Sequence, residues 1–532
     1  MAVNRGAWLL LPVLLAAALF LPAIGRRTIF ISDEARYALL ARNMLEHGHW
    51  LVPHIDDEVH MEKPPLFMWA IAVLSLIPGD VTELTAALPA AVCGIAGVGV
   101  TFLLGRWLFG PLAGLLGALI LTTTAGYFWL ARAVLADMMM TLFIIGSAWA
   151  FWTAIDTPGS GRRAMIACYV CLGLALSTKG PAGLIPILAF TAFLIVEDGW
   201  RGLRRLRLPL GVAIIALIAS PWAIAFAVQR EASYLQTVLR DDYIGPHVAW
   251  AGVGELLFAV GPLGLKALPW SLFVPAAIWF GCRDADAATR RKFRFLSCWA
   301  LVYVVLITIS THKRERYLLP VYPALALMVG WLWHRWLVSS DRRALTIHGW
   351  LWSALGIAAA VALLLPLRLR TEAAILLPAS PTLKLSAAAA IAVAGAAGLW
   401  AASTSRPRVA FAVIALTTAS MLTYEAWTMS RRHNEHFDVK SFATKIASHV
   451  GADDDVMAFE SARLSYDFYL RRPVRGVRDA RQLAASVTHG RPVYVIADER
   501  AWRNLGANGL QLDVLERAEL AGRAVMFASV TR

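Results

Sequence analysis

Apolar residues run in blocks close to the length that crosses a hydrocarbon core, broken by short polar joints, over most of the chain. The blocks lie at about 7–24, 84–105, 112–130, 138–155, 164–178, 181–197, 209–228, 254–280, 295–310, 317–334, 348–366, 385–401 and 409–428, and predict about thirteen transmembrane helices. The first reads as a retained span rather than a cleaved signal peptide, because no small-residue cleavage site follows it and many equally strong blocks do. The run PPLFMWAIAVLSLI at 64–77 is too short for an ordinary span and too apolar for a free loop; it predicts a surface or partly embedded helix.

From about Arg431 the pattern changes. The runs DDDVMAFE, RPVYVIADE, LDVLER and AVMFASV predict strands, and VRDARQLAASV predicts a helix between them. The division is a transmembrane domain over 1–430 with an outer-face loop at 25–83, then a small soluble α/β domain over 431–532.

With 58% hydrophobic and 16% charged residues, the chain lacks the polar surface of a soluble protein of 532 residues. Its net charge of +14 would point to nucleic acid in a soluble chain. Here the charge sits in joints between spans: Arg162 and Arg163; Arg201, Arg204, Arg205 and Arg207; Arg283, Arg290, Arg291, Lys292 and Arg294; Arg342 and Arg343. Alternating spans bring all of these to one side, the cytoplasm by the positive-inside rule, and make membrane lipids the partners rather than nucleic acid. The five cysteines, among them Cys93, Cys171, Cys282 and Cys298, are read as neither a CxxC pair nor a metal-ligand set. No glycine-rich phosphate loop follows a predicted strand, which argues against an ATP-driven pump.

The same alternation collects a second charged set on the outer side. In SDEARYALLARNML, Ser32 is the expected N-cap of a helix on which Asp33, Arg36 and Tyr37, three and four apart, face one pocket. Glu62 and Lys63 precede Pro64 and Pro65, which hold the backbone extended at the start of an apolar segment. Asp137 stands at the head of a span, where an unpaired carboxylate is costly, and Lys179 lies beside a Gly-Pro break. His247 falls in RDDYIGPHVAW; with Glu62 it offers a divalent cation one imidazole and one carboxylate, an assignment that spacing leaves open. THKRERYLLPVY brings Lys313, Arg314 and Arg316 to the side that disfavours positive charge, with Tyr317 and Tyr322 following. Carboxylates beside cations at a membrane cavity suit cleavage of a sugar–phosphate bond in a lipid-linked donor, the cations steadying the departing phosphate.

The segments DEARYA, EKPPLF, AR-VLAD, STKGP and KRERYLLPVYPALAL, in this order, resemble the bacterial aminoarabinose transferase group of the GT-C membrane glycosyltransferases, related to protein O-mannosyltransferases. The resemblance implies inverting transfer of 4-amino-4-deoxy-L-arabinose from undecaprenyl phosphate to lipid A phosphate, on the periplasmic face of the bacterial inner membrane, with resistance to polymyxin as its consequence. It implies Asp33 and Asp137 as catalytic carboxylates supported by Glu62. Lys63, Arg36 and Tyr37 would hold the donor phosphate, with Arg316 and Lys313 as further cations and Lys179, His247, Tyr317 and Tyr322 as neighbours. The rivals are another polyprenyl-phosphate-sugar transferase acting on protein, glycan or a different lipid, and a lipid-linked sugar flippase, which would move the donor intact.

Overall fold

Long helices form where the apolar blocks predict them, in a computed structural model that describes residues 7–56, 58–60, 63–157, 159, 161–229, 260–310, 314–338, 343–365, 380–459, 463–477, 479–486, 492–506 and 511–531. Among the described residues nine helices are long and apolar enough to cross a membrane, or ten if a bent pair counts as one span. The difference from thirteen has local causes. The first block yields only the 14-residue helix Ala7–Phe20. The blocks at 164–178 and 181–197 merge into one stretch, Gly161–Leu206, through a tight turn of helix at Gly180–Leu184. The block at 254–280 lies partly outside the described residues.

The bent pair, Pro111–Thr122 and Ala125–Ala131, turns by 66°. Thr122, Thr123 and Thr124 each donate a hydroxyl to a carbonyl one turn back, at 2.8 Å to Ala118, Leu119 and Ile120, and Trp270 donates to Thr123 Oγ1 at 2.9 Å. Such back-bonding offers the backbone an alternative to the helical ladder and bends it. The predicted short helix is present as Leu66–Ser75. Cys168 and Cys171 do stand in CxxC spacing, correcting the sequence reading; they lie on the apolar helix Gly161–Lys179 as free thiols.

The ends of the spans sort by chemistry. At one end, Arg291 pairs with Asp156 at 3.0 Å and Glu197 at 3.3 Å, Arg294 with Glu197 at 2.8 Å, and Arg335 with Asp284 at 2.7 Å, which gathers the basic joints on a single face. The outer-loop charges gather at the other.

The C-terminal part forms a five-stranded sheet of order β4-β3-β5-β7-β6, from β3 (Asp455–Phe459), β4 (Arg475–Val477), β5 (Val493–Asp498), β6 (Gln511–Leu520) and β7 (Arg523–Thr531). A short hairpin in the outer loop, β1 (His54–Ile55) and β2 (Glu58–Val59), precedes them. Strand β3 pairs parallel with β4 and β5, while β7 pairs antiparallel with β5 and β6. The predicted strands are four of these five; β4, three residues long, carries too little alternation to stand out. The sheet domain is tied to the outer loop: Thr28 N–H donates to Asn434 at 2.9 Å, Ser465 to the Phe30 carbonyl at 2.8 Å, and Arg42 to the Phe468 carbonyl at 2.7 Å and Asp80 at 2.9 Å.

Asp467, on the helix Arg463–Leu470 of this domain, is 2% exposed. One oxygen accepts from Val474 N–H at 2.7 Å and the other has no partner. Burial, with the nearby charge of Asp56, pushes its carboxyl up to about 7, against the pull of the Val474 hydrogen bond and Arg463. The folded state therefore holds this proton more tightly than the unfolded chain does. The stability this proton confers is complete below about pH 4 and is lost as pH rises towards 7. Asp467→Asn keeps an acceptor for Val474 and cannot ionise. Its apparent Tm should match the parent near pH 4 and exceed it increasingly up to about pH 7; a constant difference across that range would contradict this.

Candidate functional site

Segments far apart in sequence deliver opposite charges to one place. The helix Ser32–His47 begins with Asp33 and Glu34 in its first turn, where carboxylates complement the positive end of the helix dipole. Ser32 is not its cap: Ile31 holds that position without a side-chain hydrogen bond. Here the first turn is charged because its carboxylates have partners elsewhere. Arg316 donates from Nη2 to Asp33 Oδ2 at 2.6 Å, and Arg36 Nη1 lies 3.8 Å from Oδ1. Burial raises the Asp33 carboxyl, but the Arg316 hydrogen bond and the charges of Arg316, Arg36 and Arg314 outweigh it and hold the group below its ordinary value. Asp33 is thus an anion and a weak base at neutral pH.

Asp137 opens the helix Asp137–Asp156 and is 2% exposed; Lys179, closing Gly161–Lys179 and 10% exposed, donates to its Oδ1 in a tight ion pair. The Lys179 ammonium lies 4.6 Å from the centroid of the Tyr317 ring, and Arg316 lies 5.9 Å from the same ring. Tyr37 is buried, its ring edge-on to Phe67 at 5.2 Å. Burial, reinforced by the charge of Asp137, pushes its phenol well above the ordinary value, so it remains a hydrogen-bond donor. Lys63 lies within electrostatic range of Lys179. Arg316 Nε is buried without a partner, leaving one guanidinium donor beside the pair.

The predicted residues Asp33, Arg36, Tyr37, Lys63, Asp137, Lys179, Arg316 and Tyr317 therefore form one cluster. Tyr322 lies in the core beside Gly126, where any added Cβ would stand 2.4 Å from its hydroxyl, and lines a narrow cavity with Thr124 and Trp270. Glu62, His247 and Lys313 lie outside the described residues. Among the described residues no group of three or more His, Cys, Asp or Glu side chains is placed to hold a metal ion.

Two further residues fix the cluster. Glu34, 1% exposed, accepts from Val134 N–H at 3.2 Å and pairs closely with Arg27, so it joins the start of the Asp33 helix to the turn leading into Asp137. Arg132 donates to the carbonyls of Phe20 at 2.8 Å, Pro22 at 2.7 Å and Ala426 at 3.3 Å, and so ties that turn to two other helices. Their identities stood within DEARYA and AR-VLAD. Their partners, mostly backbone groups a hundred or more residues away, left no sequence signal.

A helical membrane body with charged loops on one face and a β-sheet domain docked over them is the fold of the GT-C class of membrane glycosyltransferases. Over 98% of both chains it superposes on crystal structures of ArnT from Cupriavidus metallidurans, without ligand (TM-score 0.77, 23% identity) and bound to undecaprenyl phosphate (TM-score 0.76, 22% identity). The sequence profile of the family dolichyl-phosphate-mannose-protein mannosyltransferase matches residues 62–224. Among curated proteins, the chain is 28% identical over 377 residues to the undecaprenyl phosphate-α-4-amino-4-deoxy-L-arabinose arabinosyl transferase of Edwardsiella ictaluri, and 29% identical over 378 residues to an enzyme of the same name in Pseudomonas fluorescens. Each match covers 68% of this chain, and 65% and 64% of those relatives' lengths respectively.

Proposed function

We propose that the chain is an inverting glycosyltransferase that moves 4-amino-4-deoxy-L-arabinose from undecaprenyl phosphate to a lipid A phosphate, in the bacterial inner membrane with its site on the periplasmic face. The observation that carries this reading is the charge of the cluster: Arg36, Arg314 and Arg316 act on Asp33, Lys179 and Arg316 act on Asp137, and Lys63 stands near Lys179. A surplus of cations around two carboxylates fits a phosphate-bearing donor that generates a cationic sugar as it breaks. The names of the similar transferases supply the donor; the resemblance read in the sequence supplies the acceptor.

In the reaction the bond from the sugar C1 to the undecaprenyl phosphate oxygen breaks, and an oxygen of the acceptor phosphate bonds to C1 from the opposite face. The departing phosphate gains a negative charge, which Arg316, Arg36 and Lys63 are placed to stabilise. The acceptor is already an anion, so no base is required, and a depressed Asp33 would make a poor one. Its ionised carboxylate instead counters the positive charge growing on the sugar. Asp137, held by Lys179, supplies the second anion, and Tyr37 a neutral donor. The basic span joints fit the cytoplasmic side. Thirteen crossings remain our reading of the topology, with Ala7–Phe20 crossing once and Gly161–Leu206 crossing twice.

The test is bond cleavage. The full chain in vesicles, supplied with donor labelled in the sugar and with lipid A, should release free undecaprenyl phosphate as label leaves the donor. Label that crosses the bilayer still attached to undecaprenyl phosphate would instead establish the flippase alternative.

A further inference from the structure

The C-terminal domain carries a basic edge that the reaction at Asp33 and Asp137 does not use. The run RRPVRGVRDAR, residues 471–481, holds five arginines against the single acid Asp479. It starts at the membrane surface, because Arg471 pairs with Asp80, three residues before the membrane-spanning helix Glu83–Phe109 begins. From there it passes into β4, the edge strand of the sheet. Val477 packs with Ala480 and Leu483, so the helix Ala480–Ser486, which bears Arg481, covers the same sheet face that Arg475 shares with Val477.

Arg475 and Arg481 are both exposed. Among the described residues neither has an ion-pair partner, whereas Arg503 pairs with Glu499 at 2.9 Å and Arg523 with Asp498 at 3.5 Å. Arg472 is committed elsewhere, donating to the Gly451 carbonyl at 2.7 Å and the Ala452 carbonyl at 3.0 Å. Two open guanidinium groups, one on β4 and one on the helix that follows it, in a run continuous with an arginine at the membrane surface, match a rigid headgroup carrying more than one phosphate: guanidinium forks bind phosphate bidentately, and a local excess of positive charge attracts anionic lipid.

We propose that Arg475 and Arg481 form the docking site for the phosphorylated saccharide headgroup of the lipid acceptor, which presents its reacting phosphate to the Asp33 cluster. The proposal rests on the phosphate-acceptor reading above. These residues position the acceptor and take no part in bond making.

With lipid A as acceptor and the full chain in nanodiscs, R475Q/R481Q should raise the KM for lipid A on the order of tenfold, a loss of about 1.4 kcal/mol for the two cations together. kcat should change less than about twofold, and R475K/R481K, which keeps the charge but loses the bidentate fork, should recover only part of the affinity. Unchanged KM in the double variant, with transfer intact, overturns the proposal. If the parent chain transfers nothing to lipid A, the acceptor reading fails, and docking is read from lipid A binding alone. Binding weakened about tenfold in R475Q/R481Q supports it; equal binding overturns it. Displacement of lipid A by an equal concentration of phosphatidylglycerol also overturns it, because the edge would then be a general anionic-lipid surface.

Discussion

Asp33→Asn lowers kcat by about 10²- to 10³-fold, the usual cost of removing one electrostatic contact that stabilises a charged transition state. The loss falls on kcat rather than on folding, because the asparagine of this variant still offers an amide oxygen to Arg316, which donates to Asp33 at 2.6 Å, and Asp33 is not deeply buried. The pH profile separates this role from proton transfer. A carboxyl held below its ordinary value stays ionised as pH falls through about 5 and is protonated only below about pH 4. The acid limb assigned to Asp33 should therefore lie below about pH 4, and Arg316→Ala, which removes the largest influence holding the group down, should move that limb upward. An Asp33→Asn enzyme with near-normal kcat, or an acid limb unmoved in Arg316→Ala, would contradict the assignment.

Asp137→Asn acts on both rate and stability. Lys179 and Asp137 are almost wholly buried against each other, and removing one member of such a pair leaves the other charge without compensation, at a cost of about 3–5 kcal/mol. The single variant should lose most activity and show a clearly lower apparent Tm in detergent. Asp137→Asn/Lys179→Met removes both charges and should recover most of that Tm while remaining inactive, since the second anion at the sugar is gone. A double variant that regains activity together with stability would show that Asp137 serves the fold alone.

The site was legible where charge broke a rule. Asp137 heads an apolar span, Lys179 stands by a Gly-Pro break, and alternation of the spans assigned Arg316 to the side that disfavours positive charge; each is out of place locally, and the structure brings all three together. Legibility ended where the partner is backbone. Arg132 holds carbonyls at and just beyond the end of Ala7–Phe20 and one in Pro407–His436, and Glu34 a single N–H across a hundred residues; spacing along one sequence carries no trace of either. The apolar periodicity located most spans but not the bend at Thr122–Thr124, which arises from hydroxyls turning back on their own helix, nor the continuity of Gly161–Leu206. Ser32 failed as a cap because a favoured residue type is no guarantee of position, and the chain enters that helix one residue earlier, at Ile31. In the sheet domain the longer strands showed their β-rich runs, while β4 was too short to do so.

The most direct measurement is the mass of lipid A after incubation of the purified full chain with undecaprenyl phosphate-aminoarabinose, run beside Asp33→Asn. Lipid A carrying one added aminoarabinose with the parent chain, and unmodified with the variant, is the expected result. Unmodified lipid A with both, while the donor is consumed by the parent chain, would contradict the acceptor and leave a transferase for another substrate.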